Sequence, residues 1–131
     1  MARVVRFWTN AFDISKERPN TINPITGESL LLWLIEKASG AVEISAPDAE
    51  DWGWYSHADW RGRRYLLGSS ACDEERDGQR EWVLQIEKHR TTKERVLGRA
   101  KMTQEDECAR YFQCLLEQEP SFRKVSVDPE P

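Results

Sequence analysis

The residues best placed to do chemistry lie between Trp52 and Gly68. In an extended strand alternate side chains share a face, so Tyr55, His57 and Asp59 project together while Trp54, Ser56 and Ala58 project oppositely. A histidine flanked by a phenol and a carboxylate has the composition of a general base with an orienting partner. Same-face neighbours on a strand stand roughly 6–7 Å apart, too far for direct hydrogen bonds without adjustment. No adjacent nucleophile or glycine-rich oxyanion element accompanies the three. The alternative is the solvated side of a half-buried strand, with Asp59 serving a turn and Arg63 or Arg64 as its cross-strand partner, and this structural reading comes first.

Other chemistries have less to build on. Cys108 and Cys114 are six residues apart, about 120° around a helix, and cannot pinch one ion. Cys108 belongs to an apolar helical stripe, where a free thiol behaves as a small hydrophobe. Only two histidines exist, His57 and His89, far apart along the chain. The glycines, at 27, 40, 53, 62, 68, 78 and 98, form no phosphate-binding loop or nucleotide fingerprint. Neither a metal nor a cofactor is expected.

Binding is the other class of function. Trp52, Trp54, Tyr55, Trp60 and Tyr65 put five large rings on one short segment. Facing alternates along a strand, so one inner face cannot absorb them all, and exposed aromatics beside arginine are the residue types enriched in interface hot spots. The leading expectation is a small protein-binding module of the adaptor, inhibitor or immunity type. It presents an aromatic and arginine hairpin of Trp54, Tyr55, Trp60, Arg61, Arg63 and Arg64. The runner-up is a small enzyme or ligand-binding domain using Tyr55, His57 and Asp59 on an open sheet face. A third reading uses residues 88–101, where Lys88, Arg90, Lys93, Arg95, Arg99 and Lys101 face only Glu94. That band lies between acidic blocks in a chain of net charge −4. It lacks interleaved aromatic platforms, so nucleic acid is not the expected partner.

The elements that must position these residues follow from periodicity. Residues 3–8 read as a strand and 9–25 as an irregular connection packed down by Phe12, Ile14, Ile22 and Ile25. A first helix opens at a Thr26 cap, with Asn23 and Pro24 as the competing start. It buries Leu30, Leu31, Leu34, Ile35 and Ala38 with Trp33 beside them, and stops at Gly40. Residues 41–45 alternate as a short strand and 46–51 read as an acidic turn. The hairpin turns either through a type I turn at 59–62 or through a two-residue turn at Arg61-Gly62. Residues 72–78 read as a charged loop, and 80–88 as a strand with Trp82, Leu84 and Ile86 on one side. The basic band holds a helical turn around 92–97. A second helix follows a Thr103 cap, presents Cys108, Tyr111, Phe112, Leu115 and Leu116, and ends at Pro120; residues 122–127 form a last strand.

The order β-α-β-β-β-β-α-β places consecutive strands in the middle. It implies an α+β fold: a two-layer, largely antiparallel sheet of five to six strands with two amphipathic helices on one face. A chain of 131 residues suits one domain, taken as 1–127 with a frayed tail at 128–131. Hydrophobic residues make up 39% and charged residues 32%, but thirteen aromatic rings compensate, each burying a large area. Three scattered cysteines, no apolar leader and no apolar run beyond Leu30–Ile35 point to a soluble protein of the reducing cytoplasm, without membrane contact.

Overall fold

The computed structural model describes residues 2–129. Strand β1 (Ala2–Thr9) alternates strictly between half-exposed and buried side chains, sending Val5 and Phe7 into the core. A single 3-10 turn at Ile14–Lys16 interrupts the long connection that follows. Phe12 and Ile14 do pack it down, Phe12 lying edge-on to Trp82 with centroids 4.8 Å apart, whereas Ile22 is exposed. Helix α1 (Glu28–Lys37) then packs Leu30, Leu31 and Leu34 against the sheet, with Ala38 buried just beyond its end.

Strands β2 (Glu43–Ile44) and β3 (Asp48–Glu50) both pair with the same edge of β4 (Gly53–Trp60). Residues 46–51, expected as a turn, therefore contain a short strand. Strand β5 (Arg63–Arg76) pairs with β4 and with β6 (Gln79–Lys88). Helices α2 (Thr92–Val96) and α3 (Glu107–Gln118) precede the last strand, β7 (Arg123–Val127). The result is an α+β fold with a seven-stranded antiparallel sheet in the order β2-β4-β5-β6-β1-β7, β3 sharing the outer edge of β4 with β2. Its inner face carries Trp54, Ala58, Tyr65, Leu67, Trp82, Leu84, Ile86, Val5 and Phe7, closed over by α1 and by Cys108, Phe112 and Leu116 of α3. Helices α1 and α3 both pack on this inner face, while Arg95 of α2 reaches the edge of the opposite one.

The β4–β5 and β5–β6 hairpins each turn through two residues of positive φ. At β4–β5 these are Arg61 (φ 52°) and Gly62 (φ 85°), so the two-residue register holds and Trp60 pairs with Arg63. Asp59 still serves the turn, its carboxylate accepting from the Gly62 N–H at 3.0 Å. The expected charged loop at 72–78 is instead the continuation of β5, a bulge between Ala71 and Glu75, and a turn at Asp77 (φ 53°) and Gly78 (φ 75°).

Two helix starts also differ from the expected caps. Gly27, not Thr26, precedes α1, and the Thr26 hydroxyl is buried without a hydrogen-bond partner among the described residues. The Glu17 carboxylate, arriving from the long connection, takes the Gly27 and Ser29 N–H groups at 2.9 and 2.8 Å. At α3 the cap is Asp106 rather than Thr103; its carboxylate accepts from the Ala109 N–H at 3.0 Å. Of the expected frayed tail, Asp128 is held by an N–H bond to the Val4 carbonyl and an ion pair with Arg6. Residues 130 and 131 lie outside the described residues.

Candidate functional site

The β4 alternation places the candidate residues as a strand must. Trp54, Ser56 and Ala58 are 3%, 0% and 1% exposed on the inner face, leaving Tyr55, His57 and Asp59 on the open one. Cross-strand register sets their neighbours: Tyr55 opposite Gly68, His57 opposite Leu66, and Asp59 opposite Arg64. His89 continues the last row, its N–H bonded to the Arg64 carbonyl at 3.0 Å. Gly68 leaves a gap in the carpet of side chains, and the Trp52 indole fills it. A Cβ at Gly68 would stand 2.7 Å from that ring. Trp52 and Tyr55 thus form an aromatic ledge on the outer side of the sheet.

Tyr55, His57 and Asp59 share a face but are not wired together. The Tyr55 and His57 rings meet edge-on at 5.6 Å, and no hydrogen bond joins any two of the three side chains. The Asp59 carboxylate is occupied with the turn. The His57 backbone is clamped to Ser45, donating to its hydroxyl at 2.8 Å and accepting from its N–H at 2.8 Å. Its Nδ1 is buried without a hydrogen-bond partner among the described residues. Partial burial, and then the positive charges of Arg64 and His89, hold the imidazole below the usual histidine range.

The expected contact set divides. Trp54 belongs to the core, its indole N–H donating to the Ile25 carbonyl at 3.2 Å with Arg18 over the ring, so it leaves the candidate surface. Trp60 is half-buried, 5.4 Å from Tyr111 of α3, with the Arg61 guanidinium 5.2 Å from its ring centroid. Arg61 also pairs with Glu107. Arg63 forks onto the two Glu94 oxygens at 3.1 and 2.9 Å and donates to the His89 carbonyl, docking α2 onto the hairpin. These three residues hold helices to the sheet. Arg64 and Tyr55 are the members of the set that face outward.

Around Arg64 the surface is concave. A shallow depression of about 590 Å³ is bordered by Glu43, Ser45, His57, Asp59 and Arg64. A smaller one of about 130 Å³ adjoins it between His57, Arg64, Leu66, Glu87, His89 and Arg95. The basic band splits likewise. Lys88 stands 3.9 Å from the Asp106 carboxylate, and Arg90 donates to the Glu94 and Arg99 carbonyls. Lys93, Arg95, Arg99 and Lys101 are exposed, alongside exposed Val96 and Leu97.

A second polar cluster lies on the other side of the sheet. Tyr65 donates to Asp106 Oδ2 at 2.8 Å, and desolvation, then that bond, push its phenol well above its ordinary value. Burial pushes the neighbouring Cys108 thiol up to about 12. The cluster joins α3 to β5, and these values describe inert groups. Cys72, Cys108 and Cys114 are all free thiols, and no group of three or more His, Cys, Asp or Glu among the described residues is placed to hold a metal ion.

Trp52, one of the five rings counted on the hairpin segment, and His89 belong to this face but not to the expected contact set. Trp52 lies outside the strand, and its place is set by the gap at Gly68. That glycine was visible, but its cross-strand neighbour depended on the hairpin register. No protein-family model matches the chain, and neither do curated proteins or solved structures.

Proposed function

We propose that this protein is a binding module that engages another protein through the open face of its sheet, at the end formed by the β4–β5 hairpin. The observation carrying this reading is the aromatic ledge. Trp52, 38% exposed, lies across Gly68 beside half-buried Tyr55, with Leu66 in the adjoining row and Arg64 in the row beyond it. Tryptophan, tyrosine and arginine are the side chains most enriched where binding energy concentrates, because each buries a large area and retains a polar group for specificity. Antiparallel sheets commonly leave one face to solvent, but such faces are ordinarily polar. Here Val4, Trp8, Tyr55, Leu66 and Val83 are half-buried on it.

The catalytic alternative has less support, since its three residues form no hydrogen-bonded relay. Three free cysteines, one of them exposed, suit the reducing cytoplasm as the site of action. No helix among the described residues is long and apolar enough to cross a membrane.

The test begins with affinity capture from the source cell and identification of the bound protein. Alanine substitutions at Trp52, Tyr55 and Arg64 follow, with folding checked by urea melts. Truncating a hot-spot residue costs about 2 kcal/mol or more of binding, roughly a thirtyfold loss in affinity. Arg76→Ala, on the distant β5–β6 hairpin, serves as the neutral control. A partner held equally well by all three variants would remove the open face from consideration.

A further inference from the structure

We infer that the smaller depression, between His57, Arg64, His89 and Arg95, is an oxyanion site that receives a single carboxylate or phosphate group. The inference rests on the reading of the open face as a binding surface and specifies the chemistry that surface recognises at one end.

Three observations converge. The first is the lining. Arg64 from β5, His89 just after β6 and Arg95 from α2 meet around His57, with Leu66 between them and Glu87 as the one carboxylate. A cavity of about 130 Å³ admits one small oxyanion with its bridging waters and leaves no room for a nucleotide. The second is the state of the arginines. Most of the guanidinium groups nearby are committed: Arg61 to Glu107, Arg63 to Glu94, and Arg90 to two carbonyls. Arg64 and Arg95 have neither an ion pair nor a side-chain hydrogen bond among the described residues, although Asp59 stands opposite Arg64 across the strands. Two uncommitted guanidinium forks at one depression match the planar, bidentate geometry of carboxylate and phosphate oxygens.

The third is His57. Its ring is held by the Tyr55 contact and by its backbone rather than by side-chain hydrogen bonds, and Nδ1 is buried and unpartnered. The charged groups lining the two depressions with it are Glu43 from β2, Asp59 from its own strand, Arg64 from β5, Glu87 and Lys88 from β6, His89 just beyond that strand, and Arg95 from α2. Partial burial first, and then the positive charges of Arg64 and His89, disfavour the imidazolium. The lining of the smaller depression sets Arg64, Lys88 and Arg95 against Glu87 alone, a cationic patch in a protein whose net charge is −4. Such a patch attracts an anion and repels the additional charge on His57. Placing Arg95 here depends on α2, which is docked by the Arg63–Glu94 fork. The fork thus positions one wall of the site without touching the ligand.

The experiment follows the His57 and His89 ring resonances of the intact protein by NMR while two probes are added separately at pH 7 and constant ionic strength. One probe is inorganic phosphate and the other a tetra-glutamate peptide. Saturable shifts of both rings with either probe are expected, together with a rise in the His57 pKa when the anion is bound. Tighter saturation by the peptide assigns the site to carboxylates of a protein partner; tighter saturation by phosphate assigns it to a free or esterified phosphate. The double substitution Arg64→Ala/Arg95→Ala, at exposed positions, is expected to weaken the response at least tenfold, while Lys93→Ala leaves it unchanged. The proposal is overturned if neither probe saturates below about 10 mM, or if the double variant responds as the parent does. Because these titrations use the isolated protein, their failure is distinct from failure of the partner-capture assay with Trp52 and Tyr55 variants.

Discussion

Individual residues in this protein are constrained more by the backbone opposite them than by their own chemistry. Gly53 and Gly68 show the two extremes. A Cβ on Gly53 would stand 2.4 Å from the Ser69 carbonyl oxygen, and its φ of 148° is one that other residues rarely adopt. Gly53→Ala should therefore cost about 1–3 kcal/mol, the usual penalty for forcing atoms into a filled space. At Gly68 the obstructing atoms are the far end of the exposed Trp52 ring, which can swing away. Gly68→Ala should cost under about 1 kcal/mol while changing tryptophan fluorescence, because the indole loses its seat. Equal losses at the two sites in urea melts would contradict this account. Ser56 offers a prediction of opposite sign. Its hydroxyl is fully buried on the inner face with no hydrogen-bond partner among the described residues. Replacing it with alanine removes an unsatisfied group, and Ser56→Ala should raise stability by about 1 kcal/mol. The facing of Ser56, with that of Trp54, Tyr55, His57 and Ala58, follows from alternation alone and was legible in the sequence. The gap that seats Trp52 was not, because it depends on which residue of β5 lies opposite Tyr55.

The helices and hairpins show where local pattern suffices and where it fails. The buried stripe of α1, and that of α3 with Cys108, Phe112 and Leu116, follow helical periodicity, and the structure has the stripes where the pattern puts them. The helix starts do not follow it as closely. A threonine before an apolar run is a sound cap signal, yet at α1 the Glu17 carboxylate reaches in from ten residues away to take the Gly27 N–H, and at 2.5 Å it also accepts from the Ser29 hydroxyl. Single-sequence reasoning has no way to see a cap supplied across a loop. The two substitutions that separate these possibilities are Glu17→Ala and Thr26→Val. Glu17→Ala should cost about 1–2 kcal/mol, the usual cost of a lost cap, while Thr26→Val should stay within about 0.5 kcal/mol of the parent. The reverse order in urea melts would restore Thr26 as the cap. Local pattern misses the β5–β6 hairpin for a different reason. Asp77-Gly78 is a strong two-residue turn signal, but five charged residues between 73 and 77 made the segment read as a loop. Beyond the bulge β5 runs outward as a ribbon paired only with β6, so its side chains meet water on both faces and hydrophobic alternation has nothing to record.

At the scale of the whole molecule, the tie between the layers sets how stability responds to pH. Asp106 accepts the Tyr65 hydroxyl from β5, caps α3 through the Ala109 N–H, and stands beside Lys88 of β6, so one carboxylate joins three elements. Both acidic groups enclosed with it favour their neutral forms in the native state. Burial raises Cys108 from 9.0 to about 12, and burial with the bond to Asp106 raises Tyr65 well above its ordinary 10.0. In the unfolded chain these groups ionise at their ordinary values, so above pH 9 the unfolded state binds fewer protons than the native one, and stability falls as pH rises. Their full contribution is present below pH 9 and is lost progressively through pH 12. On the acid side the sign reverses. The Arg63 fork and the Thr91 N–H hold Glu94 down to about 2, so its contribution is complete above its ordinary 4.5 and fades as pH falls toward 2. The expected profile is flat from about pH 7 to 9, with an alkaline limb carried from the core and an acid side that begins where the lowered His57 imidazole takes up its proton more readily in the unfolded chain and continues with the α2 docking contact. Urea midpoints at pH 3, 7, 9 and 10.5 test it with three variants. Tyr65→Phe and Cys108→Ala should each lose stability at pH 7 but decline less steeply than the parent between pH 9 and 10.5. Arg63→Ala should leave the alkaline limb intact and flatten the acid one. Parallel curves for all four proteins would mean that surface charge, not the Tyr65–Asp106 tie, governs the alkaline response.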